Sequence, residues 1–457
     1  MPTNPDWTPM RWPGAWTDSS LLTLLKGTPI DCLVVDCDSP ECERLTPVLD
    51  QARRLGLAVA GLTEAGTGNT AGLAALASPQ SLKGAGLPVI PWIPRDGLPA
   101  APASPILAFT GNVWPSVRLR SREDRDTESA GPTGGPWIDS NGWFVRMART
   151  LAPSSAVWIV AEPPKEKSLR RPELYALAVT DPAVCGGRWV VSLDEELAAG
   201  IAAGNAEARS CWKKITDAMA FHRRRPEWKD LRPVGVLGLL SDFSGDNEFL
   251  SMEAVNLIYR HSLGFRILDR RHPQRLSFDG LKAIVYADQQ APEKQLSDQL
   301  LAFVKGGGLL IAGPSCSSFA AGATAAEESH SRFGLWNLGA GRVAVAREEI
   351  FDPAVLTVDA HNLLSHRNDL VQVWNAGSMI MLYCGSADER KAVVHIINFS
   401  AWPVEFMSLR VRKQFRTARL WVPGRSMAIP LRPVPDAKST EFHLPPLASC
   451  AAIEMEA

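Results

Sequence analysis

The chain has almost no net charge, few tyrosines and no long apolar run. Its 48 Lys and Arg against 49 Asp and Glu leave a net charge of -1 over 457 residues. No global field therefore draws it to nucleic acid or to an acidic membrane. No segment approaches the ~20 apolar residues of a membrane span. The opening MPTNPDWTPMRWPGAW lacks the apolar run of a signal peptide. If the chain starts there, the expected location is cytoplasmic. The eight histidines form no close pair with metal spacing. Cys32, Cys37 and Cys42 are spaced by five with no histidine nearby, which matches no zinc pattern. Most of the eight cysteines sit in apolar runs, as buried free thiols of a reducing compartment do. The GGG at 306–308 lacks the spacing of a dinucleotide or phosphate loop. No metal and no cofactor is expected. Two dense basic clusters, HRRRPEWK (222–229) and RVRKQFR (410–416), read as solvated surface, with phosphate contact as the alternative.

What is present is an ordinary globular composition, 46% apolar and 21% charged, in a chain too long for one core. Two or three domains are expected. In the first half, short apolar runs alternate with helical patterns. The strand candidates are CLVVDC (32–37), LAVAGL (57–62), LPVIPWI (87–93), ILAFTG (106–111), SVRLR (116–120), AVWIVAE (156–162) and RWVVSLD (188–194). A helical stretch is expected around Leu73 and Leu76. Seven near-continuous apolar strands suit a parallel sheet covered on both faces, and the count favours a (β/α) barrel with an unclear eighth strand. HRRRPEWKDLRP (222–233) reads as a linker after a long helix.

A smaller doubly wound α/β unit follows, with VGVLGLLSDF, FRILD, LKAIVYAD and LLIAG as strands. From Gly341 the helices disappear. GRVAVA, VLTVDA, LVQVWN, SMIMLYCG, KAVVHIINFS and their successors fall at hairpin spacing, which predicts a β-sandwich. The expected domains are 1–225, 226–340 and 341–457.

This order resembles bacterial β-galactosidases and related glycoside hydrolases with a trimerisation domain. The resemblance rests on GVLGLLSDF, LKAIVYADQQAPEKQLSDQLLAFVKGGGLLIAGP and HLPPLASCAAIEM, about a quarter of the chain. The barrel matches by architecture only. The resemblance implies a middle domain similar to class I glutamine amidotransferases without their active site. It also implies assembly into a homo-oligomer and a carbohydrate substrate. Neither nucleic acid nor membrane is expected as a partner.

In a parallel barrel, functional groups gather at the carboxyl ends of strands, and glycoside hydrolysis needs two carboxyl groups. Glu162 in AVWIVAEPP is the expected general acid; its Glu-Pro is similar to that of many barrel hydrolases, which carry Asn where Ala161 stands here. The alternative is a rim carboxylate paired with Arg118 or Arg188. Asp194 in RWVVSLD is the expected partner, or else the N-cap of the helix EELAAGIAAG. Asp36 and Asp38 could hold a sugar hydroxyl or a metal, and Asp38 before Ser39-Pro40 reads equally as an ordinary helix cap with Pro40 in the first turn. The loop GPTGGPWIDSNGW (131–143) offers Trp137 and Trp143 as apolar faces and Asp139 and Asn141 as hydrogen-bonding groups, with Arg118 nearby. The same residues also read as a capped helix start with tryptophans in the core, Asp139 or Ser140 being the cap. Cys316 in AGPSCSSFAAG could sit in a nucleophile elbow if His330 reached it. The reading is a glycoside hydrolase; the alternative is a non-catalytic glycan-binding or structural protein on a degenerate hydrolase barrel.

Overall fold

The computed structural model describes residues 3–38, 40–64, 73–79, 86–118, 137–400 and 402–457, without the side chains of 40–42, 226 and 229. Strands β1 (Pro9–Arg11), β2 (Cys32–Asp36), β3 (Ala58–Leu62), β4 (Ala75–Ser78), β5 (Val89–Pro94) and β6 (Ile106–Thr110) pair in that order, all parallel. β7 (Ser116–Arg118) and β8 (Trp137–Asp139) form a separate antiparallel pair beyond β6. β9 (Ala156–Ile159) then joins β6, and β10 (Arg188–Trp189) joins β9. Val191 nearly closes the ring onto β1: its N–H donates to Pro9 and its carbonyl accepts from Arg11, at 3.1 and 2.9 Å. The result is an eight-stranded parallel barrel.

Period-two alternation divides each strand between two environments. Cys32, Val34, Ala60, Ala77, Ile90, Trp92, Ala108 and Trp158 cluster together as the barrel filling. Their neighbours Leu33, Val35, Val59, Leu107, Phe109, Val157 and Ile159 belong to the larger core shared with the helices. Those helices are α1 (Thr46–Arg54), α2 (Gly142–Leu151), α3 (Pro172–Val184), α4 (Glu195–Ala202) and α5 (Ala206–Arg223).

Two barrel strands differ from expectation. SVRLR lies outside the barrel; its first three residues make the β7–β8 hairpin, and 119 and 120 lie outside the described residues. The expected helix around Leu76 is β4. All four residues of ALAS are buried, so no alternation marks them as a strand, while Ala and Leu favour helix. β1 is three residues with a proline, too short to show a pattern.

The middle unit is doubly wound. Phe265–Asp269, Leu237–Ser241, Ala283–Tyr286, Leu309–Ala312 and Gly341–Ala346 run parallel in that spatial order. Helices α6 (Glu248–Arg260) and α7 (Lys294–Lys305) connect them. GRVAVA, expected to open the sandwich, is therefore the fifth parallel strand here; its alternation would serve either sheet. VLTVDA lies in α8 (Pro353–Leu364), because Asp352 caps Ala354 and Val355 and Pro353 starts the helix.

The sandwich has a six-stranded and a four-stranded antiparallel sheet. Met381, Val394, Leu409, Phe442 and Ile453 fill the space between them. The other face of the larger sheet, with Ile380, Val393 and Ile397, packs into the core that the barrel helices share. The expected linker is held in place: Trp228 is buried, and Arg232–Pro233 pairs with the larger sheet.

Candidate functional site

The alternation that fills the barrel also builds its mouth. On β9, Ala156, Trp158 and Val160 share a face, and two residues further lies Glu162. On β2, Cys32 and Val34 lead to Asp36; on β1, Pro9 leads to Arg11; beyond β10, Val190 leads to Ser192. Arg11, Asp36, Glu162 and Ser192 accordingly line one cavity of about 230 Å³, with Trp12, Leu45 and Leu193 on its wall. Trp158 and Trp92 plug the barrel interior.

Arg11 organises this mouth. Its guanidinium donates to Glu162 Oε1 at 2.9 Å and lies 3.9 Å from Asp36 Oδ2. The carboxylates are half exposed, at 50% and 47%. They share one guanidinium, so they stand within roughly 10 Å of each other, the outer limit of the spacing that glycoside hydrolysis uses. Glu162 is thus paired with Arg11, neither with Arg118 nor with Arg188. Arg188 instead binds Asp6 and the Pro5 carbonyl.

Asp194 stands apart from this cavity. Oδ1 caps Leu197 at the start of α4 and accepts from Arg170 at 2.7 Å; Oδ2 accepts from the Tyr175 hydroxyl at 2.5 Å. Both oxygens are committed, and the side chain is only 12% exposed. It holds α4 and α3 together, in the helix-cap role that was the alternative for it. Asp38 accepts from the Thr63 hydroxyl at 2.7 Å and the Glu64 N–H at 2.6 Å, tying the end of β2 to the end of β3.

The loop 131–143 is described only from Trp137. There the expected helix follows and Trp143 is core, but Asn141, neither Asp139 nor Ser140, stands at the cap position of α2, without a side-chain capping bond of its own. Asp139 is buried and accepts from Arg118 Nε at 2.6 Å and Ser116 at 3.2 Å across the β7–β8 pair. Asn141 is buried and bonds the Val113 backbone both ways, at 3.1 and 2.8 Å. Trp143 is core, with Arg95 stacked on it at 4.4 Å. Trp137 is half-buried under Arg260, 3.5 Å from the ring centroid. The cap of α2 comes from another helix. Asp181 of α3 accepts from Ser140 Oγ, Asn141 N–H and Gly142 N–H, at 2.6, 2.5 and 3.2 Å. Ser140 adds its own bond to the Gly142 N–H at 3.1 Å. Burial pushes the Asp181 carboxyl up to about 6 against these bonds. No local signal could have named Asp181, which lies 39 residues after Gly142.

A second cleft, about 690 Å³, opens where the barrel rim meets α6. Arg95 and Asp96 after β5 and Gly111 after β6 face Glu248, Phe249, Met252 and Glu253. Phe249 is 66% exposed. In the middle unit Cys316 is fully buried, and burial pushes its thiol up to about 11. His330 turns instead to Asp359 and Phe333. No nucleophile elbow is formed.

No protein-family model matches the chain, and no curated protein matches it in sequence. Solved structures do. α-L-Fucosidase isoenzyme 2 from Paenibacillus thiaminolyticus matches with a TM-score of 0.58 at 11% identity, over 99% of this chain and 98% of that one. A GH42 β-galactosidase from G. stearothermophilus matches with a TM-score of 0.50 at 10% identity, over 99% and 98%. The fold is that of multidomain glycoside hydrolases: a parallel barrel, a doubly wound unit and a β-sandwich. The likeness to β-galactosidases expected from the order of elements holds as architecture. No helix among the described residues is long and apolar enough to cross a membrane.

Proposed function

We propose that the chain is a carbohydrate-active protein that takes a sugar at the barrel mouth and hydrolyses its glycosidic bond. The supporting observation is the convergence of Glu162 and Asp36 on one polar cavity, bridged by Arg11. Glu162 donates a proton to the glycosidic oxygen as the bond to the sugar ring breaks. Asp36, three strands away around the ring, replaces Asp194 as the second carboxylate; it faces the positive charge that develops and accepts the proton of the entering water. Arg11 balances the charge of the Asp36 carboxylate while Glu162 carries the proton that it donates. The cleft beside Phe249 and Asp96 would receive the rest of a longer glycan. The middle unit serves assembly into a homo-oligomer, as the resemblance implies.

A panel of aryl glycosides tests this. Turnover by wild type should fall at least a hundredfold in Glu162→Gln and in Asp36→Asn, with folding intact. Asp194→Asn should lower thermal stability and leave turnover per folded molecule within a few-fold. Unchanged turnover in both mouth variants removes the assignment.

The second reading is a glycan-binding barrel without catalysis. It is favoured by Arg11, which stands between the two carboxylates and is free of neither. Absence of turnover on every sugar, with glycan binding that Arg11→Ala abolishes, would select it.

A further inference from the structure

The four-stranded sheet of the sandwich carries a basic cavity of about 470 Å³ far along the chain from the barrel mouth. Four cations line it, Arg367, Arg410, Arg412 and Lys438, against one carboxylate, Asp369. The sequence motif RVRKQFR supplies two of them. Leu409 and Val411 point into the sandwich core, so Arg410 and Arg412 share the opposite face. Gln372 stands opposite Arg410 in the neighbouring strand, and Lys438 comes from the turn before Ser439. Arg367 arrives from the other side. Ser365 leaves α8 with φ 72°, in the left-handed region that costs a non-glycine residue strain. Its hydroxyl then accepts from the Arg367 N–H at 3.4 Å.

Carboxylates answer Arg410, beside Asp436 and opposite Glu441 in the neighbouring strand, more than they answer the other three cations. Arg410 is held by Asp436 at 3.1 Å and Ser439 at 2.9 Å. Arg412 donates to the side-chain amide oxygen Oδ1 of Asn368 at 2.9 Å. Among the described residues, Arg367, Arg412 and Lys438 have no carboxylate partner. Asp369 is engaged by His361 at 2.7 Å and His366 at 3.3 Å. Those three residues bring possible metal-ligating atoms within 4.8 Å of one another, a grouping that the five-residue gap between the histidines did not announce. Four surrounding cations nevertheless oppose a divalent metal ion there. Like charges gathered on one wall repel until a counter-charge enters. Guanidinium forks match the oxygens of an oxyanion in pairs, and the ammonium adds a point charge.

We propose that this cavity binds a sulfate- or phosphate-type oxyanion between Arg367, Arg412 and Lys438, carried on an acidic saccharide. The saccharide as carrier rests on the carbohydrate reading above; the oxyanion does not. Calorimetric titration of the full chain at low ionic strength, with glucose 6-sulfate, inorganic sulfate and glucose in turn, tests it. Glucose 6-sulfate should bind and glucose should not. The affinity should fall at least tenfold in the double variant Arg367→Ala, Arg412→Ala, and again in wild type at 0.5 M sodium chloride. Glu162→Gln should leave this binding unchanged, so loss of the hydrolase reading and loss of this one are separable. Inorganic sulfate binding as tightly as glucose 6-sulfate, and weakened by the same variant, would keep the oxyanion and overturn the saccharide. Absence of binding by wild type, equal binding of glucose, or equal affinity in the double variant would overturn the site. All three cationic side chains are exposed, so the variants should fold; Lys438→Glu gives an independent loss on a separate turn.

Discussion

Acid should loosen the seam between the barrel and the sandwich. His222 on α5 and His395 on the larger sandwich sheet lie with ring centroids 6.4 Å apart, and Trp228 packs edge-on to His395 at 5.3 Å. His222 Nε2 and His395 Nδ1 have neither solvent contact nor a hydrogen-bond partner among the described residues. Burial holds His222 down at about 3, with His395 adding to the effect, and holds His395 at about 4. Both are therefore neutral in the folded protein, while in the unfolded chain they titrate near 6.5. Below that value the unfolded state binds the extra protons. Stability is full above pH 6.5 and is lost as pH falls toward the folded values. Each histidine contributes a slope of up to about 1.4 kcal/mol per pH unit, so the pair is worth about 2 to 5 kcal/mol between pH 6.5 and 4.5. Asp181 works in the opposite direction. Its folded carboxyl, raised to about 6, takes a proton before the unfolded one does, so it adds stability as pH falls below 6. The comparison must therefore be between wild type and the double variant His222→Gln, His395→Gln, by urea unfolding at pH 7, 6, 5 and 4.5. The variant should be less stable at pH 7, and its deficit should shrink by about 2 to 5 kcal/mol by pH 4.5. Parallel curves, or His222 and His395 resonances that titrate above pH 6 in the folded protein, would refute the reasoning.

Two other outcomes follow from the same structure. Removing the remote cap with Asp181→Ala leaves the first N–H groups of α2 buried without their carboxylate, and should cost roughly 2 kcal/mol in urea unfolding at pH 7; a change below about 0.5 kcal/mol would show that Ser140 alone suffices. Sedimentation velocity at micromolar concentration should give a dimer or trimer, and a monomer would remove the assembly role proposed for the middle unit.

The candidate site shows where sequence reasoning reaches and where it stops. Glu162 was legible because an apolar run ended in a carboxylate, and the structure brings it to a cavity at the barrel mouth. Asp194 satisfied the same rule. Its alternative role, as a helix cap, is the one its geometry describes. Which role a strand-end carboxylate takes depends on its neighbours: Arg170 and Tyr175 reach Asp194, whereas Arg11 reaches Glu162. Arg11 went unnoticed because β1 is too short to be seen as a strand. Of the loop that held most of the polar candidates, the described part turned out to be helix capping and hairpin pairing.

Local sequence determined the strands with unbroken β-branched runs, the period of the sandwich, the Asp194 cap and the outward face of RVRKQFR, because each depends on residues within a few positions of one another. Tertiary structure alone decided the closing of the barrel through Val191, the capping of α2 by Asp181, and the union of Arg11, Asp36 and Glu162. It also decided the sheet to which GRVAVA belongs. Those depend on hydrogen bonds and charges between residues tens to more than a hundred positions apart, and no local pattern records which distant partner the packing will supply.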